Sequence, residues 1–375
     1  MFPFIVVFAL NIVCAYMADK SFYRSKIACF LWLAMIVLTC TVVYGLRDIG
    51  VGTDTTIYTE SYFQEASFIH DWAALKEAGE GIDKGYLLLS ILATKLGSSA
   101  QSLLIANSLF TLTFFMLGLY NFKKALGIKM WIYMVFFCCL LSGPMLNYMR
   151  QFCAMSLLFY GFSLFLQKKW MPYIILQVAA FFFHSSSVFF ICVPMIYFIS
   201  NIKDVRKRNL LTMGGFIMLA IMMGYYFYFL TLVGNLGFVK ELYTDRYGAD
   251  GSNVATQSFI LGKSIFVYWF ITLAIIFIGN KQKALDKRLI YIIFVMFVAS
   301  TVLQQLQFIV RHMHRMSLYI AIVYYAYLTL LYQSKKVPLP FKFLGYLLFI
   351  YQWYKMTIGG ANEVYPFTSK ILGIG

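Results

Sequence analysis

Ionisable residues at the ends of long apolar runs carry the first chemical information in this chain. They fall in four places: Arg150-Gln151, the His184 of Phe183-His184-Ser185-Ser186-Ser187, the group Arg311, His312, His314 and Arg315, and the turn Leu46-Arg47-Asp48-Ile49-Gly50-Val51-Gly52-Thr53-Asp54. Charges so close to apolar segments are costly and usually functional. Arg grips phosphate oxygens through a planar fork, and a neutral His or an Asp can take a proton from an attacking hydroxyl near neutral pH. Such a set suits a diphosphate-bearing substrate, with Arg neutralising the departing charge. Arg150, Gln151, Arg311, Arg315, Arg47 and Asp48 are the candidate substrate-binding residues. His184, His314 and Asp54 are the candidate proton acceptors. Arg47 and Asp48 have a second reading, in which they pair with each other and brace the loop.

Spacing adds to two of these clusters. On a continuous helix, Gln304, Gln307, Arg311, His314 and Arg315 follow i, i+3, i+7, i+10, i+11 and share one stripe; Asn147, Arg150 and Gln151 follow i, i+3, i+4. Plainer roles compete at each position. Arg at a helix end can snorkel to lipid phosphate, a lone His among aromatics is often a hydrogen-bonded core residue, and Gly50 to Asp54 can be turn chemistry alone. No metal site or cofactor is expected. No carboxylate lies between Asp286 and Glu363, and His312-x-His314 has the wrong spacing for two ligands on one helix.

The elements that position these residues must be membrane helices. Of 375 residues, 61% are hydrophobic and 12% charged, whereas soluble domains carry about 25% charge. Apolar runs recur without period-two alternation, and lipid tolerates only backbone that satisfies itself. The expected architecture is a single all-α polytopic membrane domain over 1–375 with about twelve spans: 2–17, 27–46, 99–120, 130–149, 151–167, 170–183, 186–199, 210–230, 263–279, 289–309, 314–332 and 341–358. The first is read as a retained helix, since it lacks a basic start and a cleavage site. Tyr86–Leu96 reads as a short interfacial or re-entrant helix. The stretch 170–199 has basic residues at both flanks, so it reads as two half-spans that enter and return around His184. All seven Cys lie inside apolar runs, which indicates neither a disulfide framework nor a zinc site.

Charge placement gives an orientation. The segments 18–26, 121–129, 168–169, 200–209, 280–288 and 333–342 hold 19 of the 31 Lys and Arg against three acids, Asp19, Asp204 and Asp286. By the positive-inside rule they are cytoplasmic, both termini are extracytoplasmic, and the formal charge of +16 reflects orientation, with no nucleic-acid partner. The candidate residues then share the outer face with two long loops, 47–84 and 231–262. The first holds eight acids. A lipid-linked diphosphate supplies both a tail for the bilayer and a leaving group for the Arg cluster. A lipid-linked oligosaccharide or polysaccharide transporter, flippase or exporter, is the competing class. Its signature would be repeated halves and charges near mid-span, and the charges here sit at the outer end. A membrane O-acyltransferase using one His as base is a third.

Several short motifs also resemble the EpsG family of Wzy-type polysaccharide polymerases, most clearly over the first 200 residues. They are Arg47-Asp48 with Val51-Gly52-Thr53-Asp54, Asp83-Lys84-Gly85-Tyr86, Met149-Arg150-Gln151 and Phe183-His184-Ser185-Ser186-Ser187. Lys84 stands where that family usually has Pro. The resemblance implies a glycosyltransferase of GT-C type in the bacterial cytoplasmic (inner) membrane. It would polymerise undecaprenyl-diphosphate-linked repeat units of O-antigen, capsule or exopolysaccharide. Its partners would be the lipid-linked glycan donor and acceptor, membrane lipid and a chain-length regulator protein.

Overall fold

The computed structural model describes residues 1–69, 83–225, 263–305, 313–360 and 363–375. These residues form helices and turns, with only an isolated bridge between Ser369 and Ile374. The helices are α1 Phe2–Ser21, α2 Lys26–Gly45, α3 Thr53–Ser67, α4 Lys84–Leu96, α5 Gln101–Leu126, α6 Met130–Asn147, α7 Met149–Phe165 and α8 Trp170–Phe183. After a 3-10 segment, Ser185–Ile191, come α9 Cys192–Ser200, α10 Val205–Gly224, α11 Lys263–Lys281 and α12 Lys287–Gln304. A 3-10 turn at Met313–Met316 then leads into α13 Ser317–Gln333, and α14 Leu339–Trp353 closes the series.

Two compact units result: 1–188 with 342–375, and 189–341. In the first, α7 is the hub. Fifteen of its residues are buried, Met149 and Phe165 among them, so it is apolar on all sides, as a central helix must be. Helices α5 and α8 pack along it, α2 packs on α5, α1 on α2 and α6, and α4 between α5 and α8. Outer helices bury one side only. Leu31 and Leu38 on α2 and Ile174, Ile175 and Phe181 on α8 are exposed, a surface suited to lipid rather than water. In the second unit α12 packs against α13, α9 and α11.

By length and composition six helical segments among the described residues can cross a membrane: Phe2–Ser21, Lys26–Gly45, Gln101–Leu126, Met130–Asn147, Lys287–Gln304 and His314–Gln333. At 1.5 Å per residue, the 18-residue cases reach about 27 Å, close to the hydrocarbon thickness of about 30 Å. Trp170–Phe183, Ser185–Ser200 and Phe266–Lys281 are shorter apolar helices. The expected break at His184 is present, and Gln177 Nε2 donates to Ser187 O at 3.3 Å, folding the chain back on α8. The loop 47–84 differs from expectation. Within it α3 buries Thr55, Thr59, Tyr62, Phe63 and Ala66, one helical face on α4 and the end of α6. The loop 231–262 lies outside the described residues.

The first unit has two chemically distinct ends. At one, Asp19 pairs with Lys123 (3.0 Å) and accepts from the Trp131 N–H (3.2 Å). This ties α1, α5 and α6 together amid Lys20, Arg24, Lys124, Lys129, Lys168 and Lys169. The other end carries Arg47, Asp48, Asp54, Asp83, Arg150 and His184. The chain's own ends lie there too: Phe4 packs on Phe367 at 5.3 Å, and Ser369 Oγ donates to Leu46 O at 2.5 Å.

Candidate functional site

Arg150 occupies the first turn of α7, where the positive end of the helix dipole repels a cation. Compensation comes from two neighbouring elements. Nη1 donates to Tyr62 Oη at 2.8 Å and to Asp83 Oδ2 at 3.1 Å. The guanidinium also lies over the rings of Tyr58 (4.6 Å) and Tyr62 (5.4 Å). Tyr58 and Tyr62 are one turn apart on α3, and Tyr62 meets Tyr86 of α4 edge-on at 5.2 Å. Burial pushes the Tyr62 hydroxyl up to about 12, against the opposing pull of Arg150. It therefore remains a neutral group that both accepts and donates.

Asp83 caps the N-terminus of α4 with its backbone alone: its carbonyl accepts from Tyr86 N and Leu87 N at 2.9 and 3.0 Å. Its side chain, at a position where carboxylates ordinarily accept from first-turn N–H groups, makes no cap bond. It turns instead to Arg150 and to His184 Nδ1, 3.3 Å away. His184 ends α8 in extended backbone, φ −163°, with its N–H donating to Ala180 O at 3.0 Å. Arg150 and His184 thus meet one carboxylate oxygen from two sides. Side-chain exposures are 23% for Arg150, 19% for His184 and 12% for Asp83. The cluster is lined by protein yet open to a ligand.

The encounter depends on Gly85. A Cβ there would lie 2.9 Å from the backbone carbonyl of Phe182 and 3.0 Å from the Phe183 ring, closer than side-chain carbons are found. Without a side chain, the start of α4 sits directly on the end of α8, which brings Asp83 to His184.

A second layer fixes α3 against α6 and α7. Arg47 is 1% exposed. It donates to Val51 O (3.4 Å), Tyr44 O (2.5 Å), Thr55 Oγ1 (3.2 Å), Leu146 O (2.7 Å) and Met149 Sδ (3.6 Å). Burial pulls its guanidinium down to about 10, so it stays charged at neutral pH. These donors go to protein acceptors, an arrangement that suits the bracing reading of Arg47. Asp48 bonds elsewhere: its Oδ1 accepts from Lys370 N at 2.9 Å while its N–H donates to Thr368 O at 2.9 Å. The Lys370 N–H, with help from Thr368 and the Lys370 charge, holds the Asp48 carboxyl below its usual range. Gly52, at φ +100°, makes the left-handed turn into α3, and Asn147 Oδ1 accepts the Asp54 N–H at 2.9 Å.

The stripe expected through Asn147, Arg150 and Gln151 does not form. The backbone breaks at Tyr148 (ψ 58°) between α6 and α7, which separates Asn147, bound to α3, from Arg150; Gln151 is buried in α7. Helix α12 closes at Gln304, and His314 and Arg315 lie on a separate 3-10 turn in the second unit. Gln307, Arg311 and His312 lie outside the described residues. Asp54 is in the first turn of α3, one turn before Tyr58 on the same side. Sequence reasoning placed Asp83 in a motif but gave it no role. Its signal was an acid at an N-cap position directly before Lys-Gly-Tyr.

A model of the EpsG family matches residues 29–369. No curated protein and no solved structure matches the chain.

Proposed function

The chain belongs to the EpsG family, a Wzy-like polysaccharide polymerase family, and from that premise we propose a specific reaction. It is a multi-pass membrane polymerase that joins undecaprenyl-diphosphate-linked repeat units by glycosyl transfer at the outer face of the bacterial cytoplasmic membrane. The proposal extends to a GT-C-like arrangement of about twelve spans with both termini outside. The observation that carries it is the junction of Arg150, Asp83 and His184. A cation for a diphosphate and an oriented imidazole lie side by side, at the end of the unit opposite its lysines.

The roles follow from the contacts. Arg150, at the positive end of α7, binds the donor diphosphate and offsets the charge that develops on it. Asp83 accepts Nδ1–H of His184, which leaves the Nε2 lone pair for a proton. The acceptor hydroxyl attacks the donor's anomeric carbon. The bond from that carbon to the diphosphate oxygen breaks, undecaprenyl diphosphate departs, and the hydroxyl proton passes to His184. Asp54 is the second acid near this path. Arg311, His314 and Arg315 are proposed as further basic groups for the substrate diphosphate.

The test is glycan length in cells complemented with Arg150→Ala or His184→Ala at matched protein level. Short glycans from both are expected; full-length glycan from both would overturn the assignment. A transporter would trap lipid-linked repeats on the cytoplasmic leaflet when deleted, whereas a polymerase deletion leaves single repeats outside.

A further inference from the structure

An open cleft of about 560 Å³ lies at the N-terminal end of α3, apart from the Arg150 cluster. Its lining includes Asp48, Gly50, Gln101, Glu363, Tyr365 and Lys370. That size falls in the range of small-ligand sites, roughly 300–1,000 Å³. The C-terminal segment forms one wall and is tied to the body by Asp48 on Thr368 and Lys370, by Ser369 on Leu46, and by Thr53 donating to Glu363. We propose that this cleft is an oligosaccharide subsite, holding sugar residues of the lipid-linked substrate beyond the reacting carbon. The inference rests on the polymerase reading.

The chemistry of the lining selects sugars. Each carboxylate has about four lone-pair positions; Asp48 gives some of them to Lys370 N and the Thr368 side chain, and Glu363 gives one to Thr53. The remaining positions suit hydroxyl donors, which a glycan supplies in pairs along its ring. Gln101 gives its Nε2 to Gly45 O and Arg47 O, so its carbonyl oxygen remains as an acceptor. Tyr365 is 42% exposed and presents a ring of the amphipathic kind that covers the C–H face of a sugar while its hydroxyl bonds. Two carboxylates beside one lysine make the cleft poor for a diphosphate, which distinguishes it from the Arg150 cluster.

Position supports the same occupant. Thr53, at the cleft, and Tyr58, under Arg150, are five residues apart on α3, about 7.5 Å of helix rise. A glycan whose reducing end sits at Arg150 would extend past Asp54 into the cleft. Both growing chain and incoming repeat share this chemistry, and kinetics separates them.

The probe is the repeat-unit oligosaccharide released by mild acid from lipid-linked repeats, offered to the full-length protein in lipid nanodiscs. Saturation-transfer NMR should show contact with wild type and with Tyr365→Phe, and loss with Tyr365→Ala and Glu363→Gln. These side chains are exposed, so both variants should accumulate normally. In polymerisation assays the same two variants should raise KM about tenfold for whichever substrate fills the cleft, donor chain or acceptor repeat, with kcat kept within about twofold. Equal NMR contact and unchanged KM in both variants would overturn the subsite. If wild type makes no polymer but binds the oligosaccharide through Tyr365, the polymerase reading fails while the sugar site stands.

Discussion

Replacing Asp83 by Asn keeps shape and removes charge at the atom that joins Arg150 to His184. At 3.1 Å the Asp83–Arg150 attraction is about 1.3 kcal/mol in a water-like dielectric and about 5 kcal/mol at an effective value near 20. The side chains are 12% and 23% exposed, so screening leaves a net stability change of about 1–2 kcal/mol. The effect on the reaction is larger and has a separate cause. An amide can donate to Nδ1 of His184, which moves the proton to Nε2 and removes the base; with general-base terms of about 10²–10⁴, polymerisation should fall by at least about 10². The assay is conversion of lipid-linked repeats by purified protein in lipid, as kcat and KM, with melting in detergent alongside. The expected pattern is a collapsed kcat with a melting temperature only a few degrees lower. If Asp83→Asn polymerises at the wild-type rate, or loses activity only in proportion to lost folded protein, the orienting role is refuted.

Gly85→Ala should push α4 away from Phe182, costing about 1–3 kcal/mol as an overpacked contact and lowering activity about as far as Asp83→Asn. A thermal melt and the glycan ladder check both. Arg47→Ala would leave the Tyr44 carbonyl without this donor and the Leu146 carbonyl with Thr55 Oγ1 alone, a loss of about 1–3 kcal/mol for each buried group left unsatisfied; membrane abundance should drop, whereas Arg150→Ala should accumulate normally. Because the folded Asp48 carboxyl sits below its ordinary range, its hold on the C-terminal segment is complete above that range and fades as pH falls through the folded value. Protection of the amides at residues 367–372 against hydrogen exchange, taken relative to the intrinsic rate at each pH, should therefore fall in acid, and Asp48→Asn should show the lower protection already at neutral pH.

The features legible in the sequence were those with a local cause. The interruption at His184 follows from a polar tip between two apolar stretches whose far ends are both basic. The junction of Arg150 and His184 at one end follows from their places at helix ends and from the charge asymmetry. Helix α3 was hidden because its low apolar content reads as loop, although Thr55, Thr59, Tyr62 and Ala66 recur at helical spacing. The contacts of Arg47 had no local signal: its key acceptor, Leu146 O, is 99 residues away. The stripe through Asn147, Arg150 and Gln151 assumed a continuous helix, and the chain instead breaks at Tyr148 so that Asn147 can cap α3. The role of Asp83 lay in which way its carboxylate turns, and that is decided by how closely Gly85 lets α8 approach.

The most direct measurement places purified wild-type and Arg150→Ala protein in lipid with undecaprenyl-diphosphate-linked repeat units and follows the glycan ladder. The account predicts a ladder from wild type and a rate at least about 10² lower from Arg150→Ala, as for loss of a charge-stabilising donor. Equal ladders from the two proteins would contradict it.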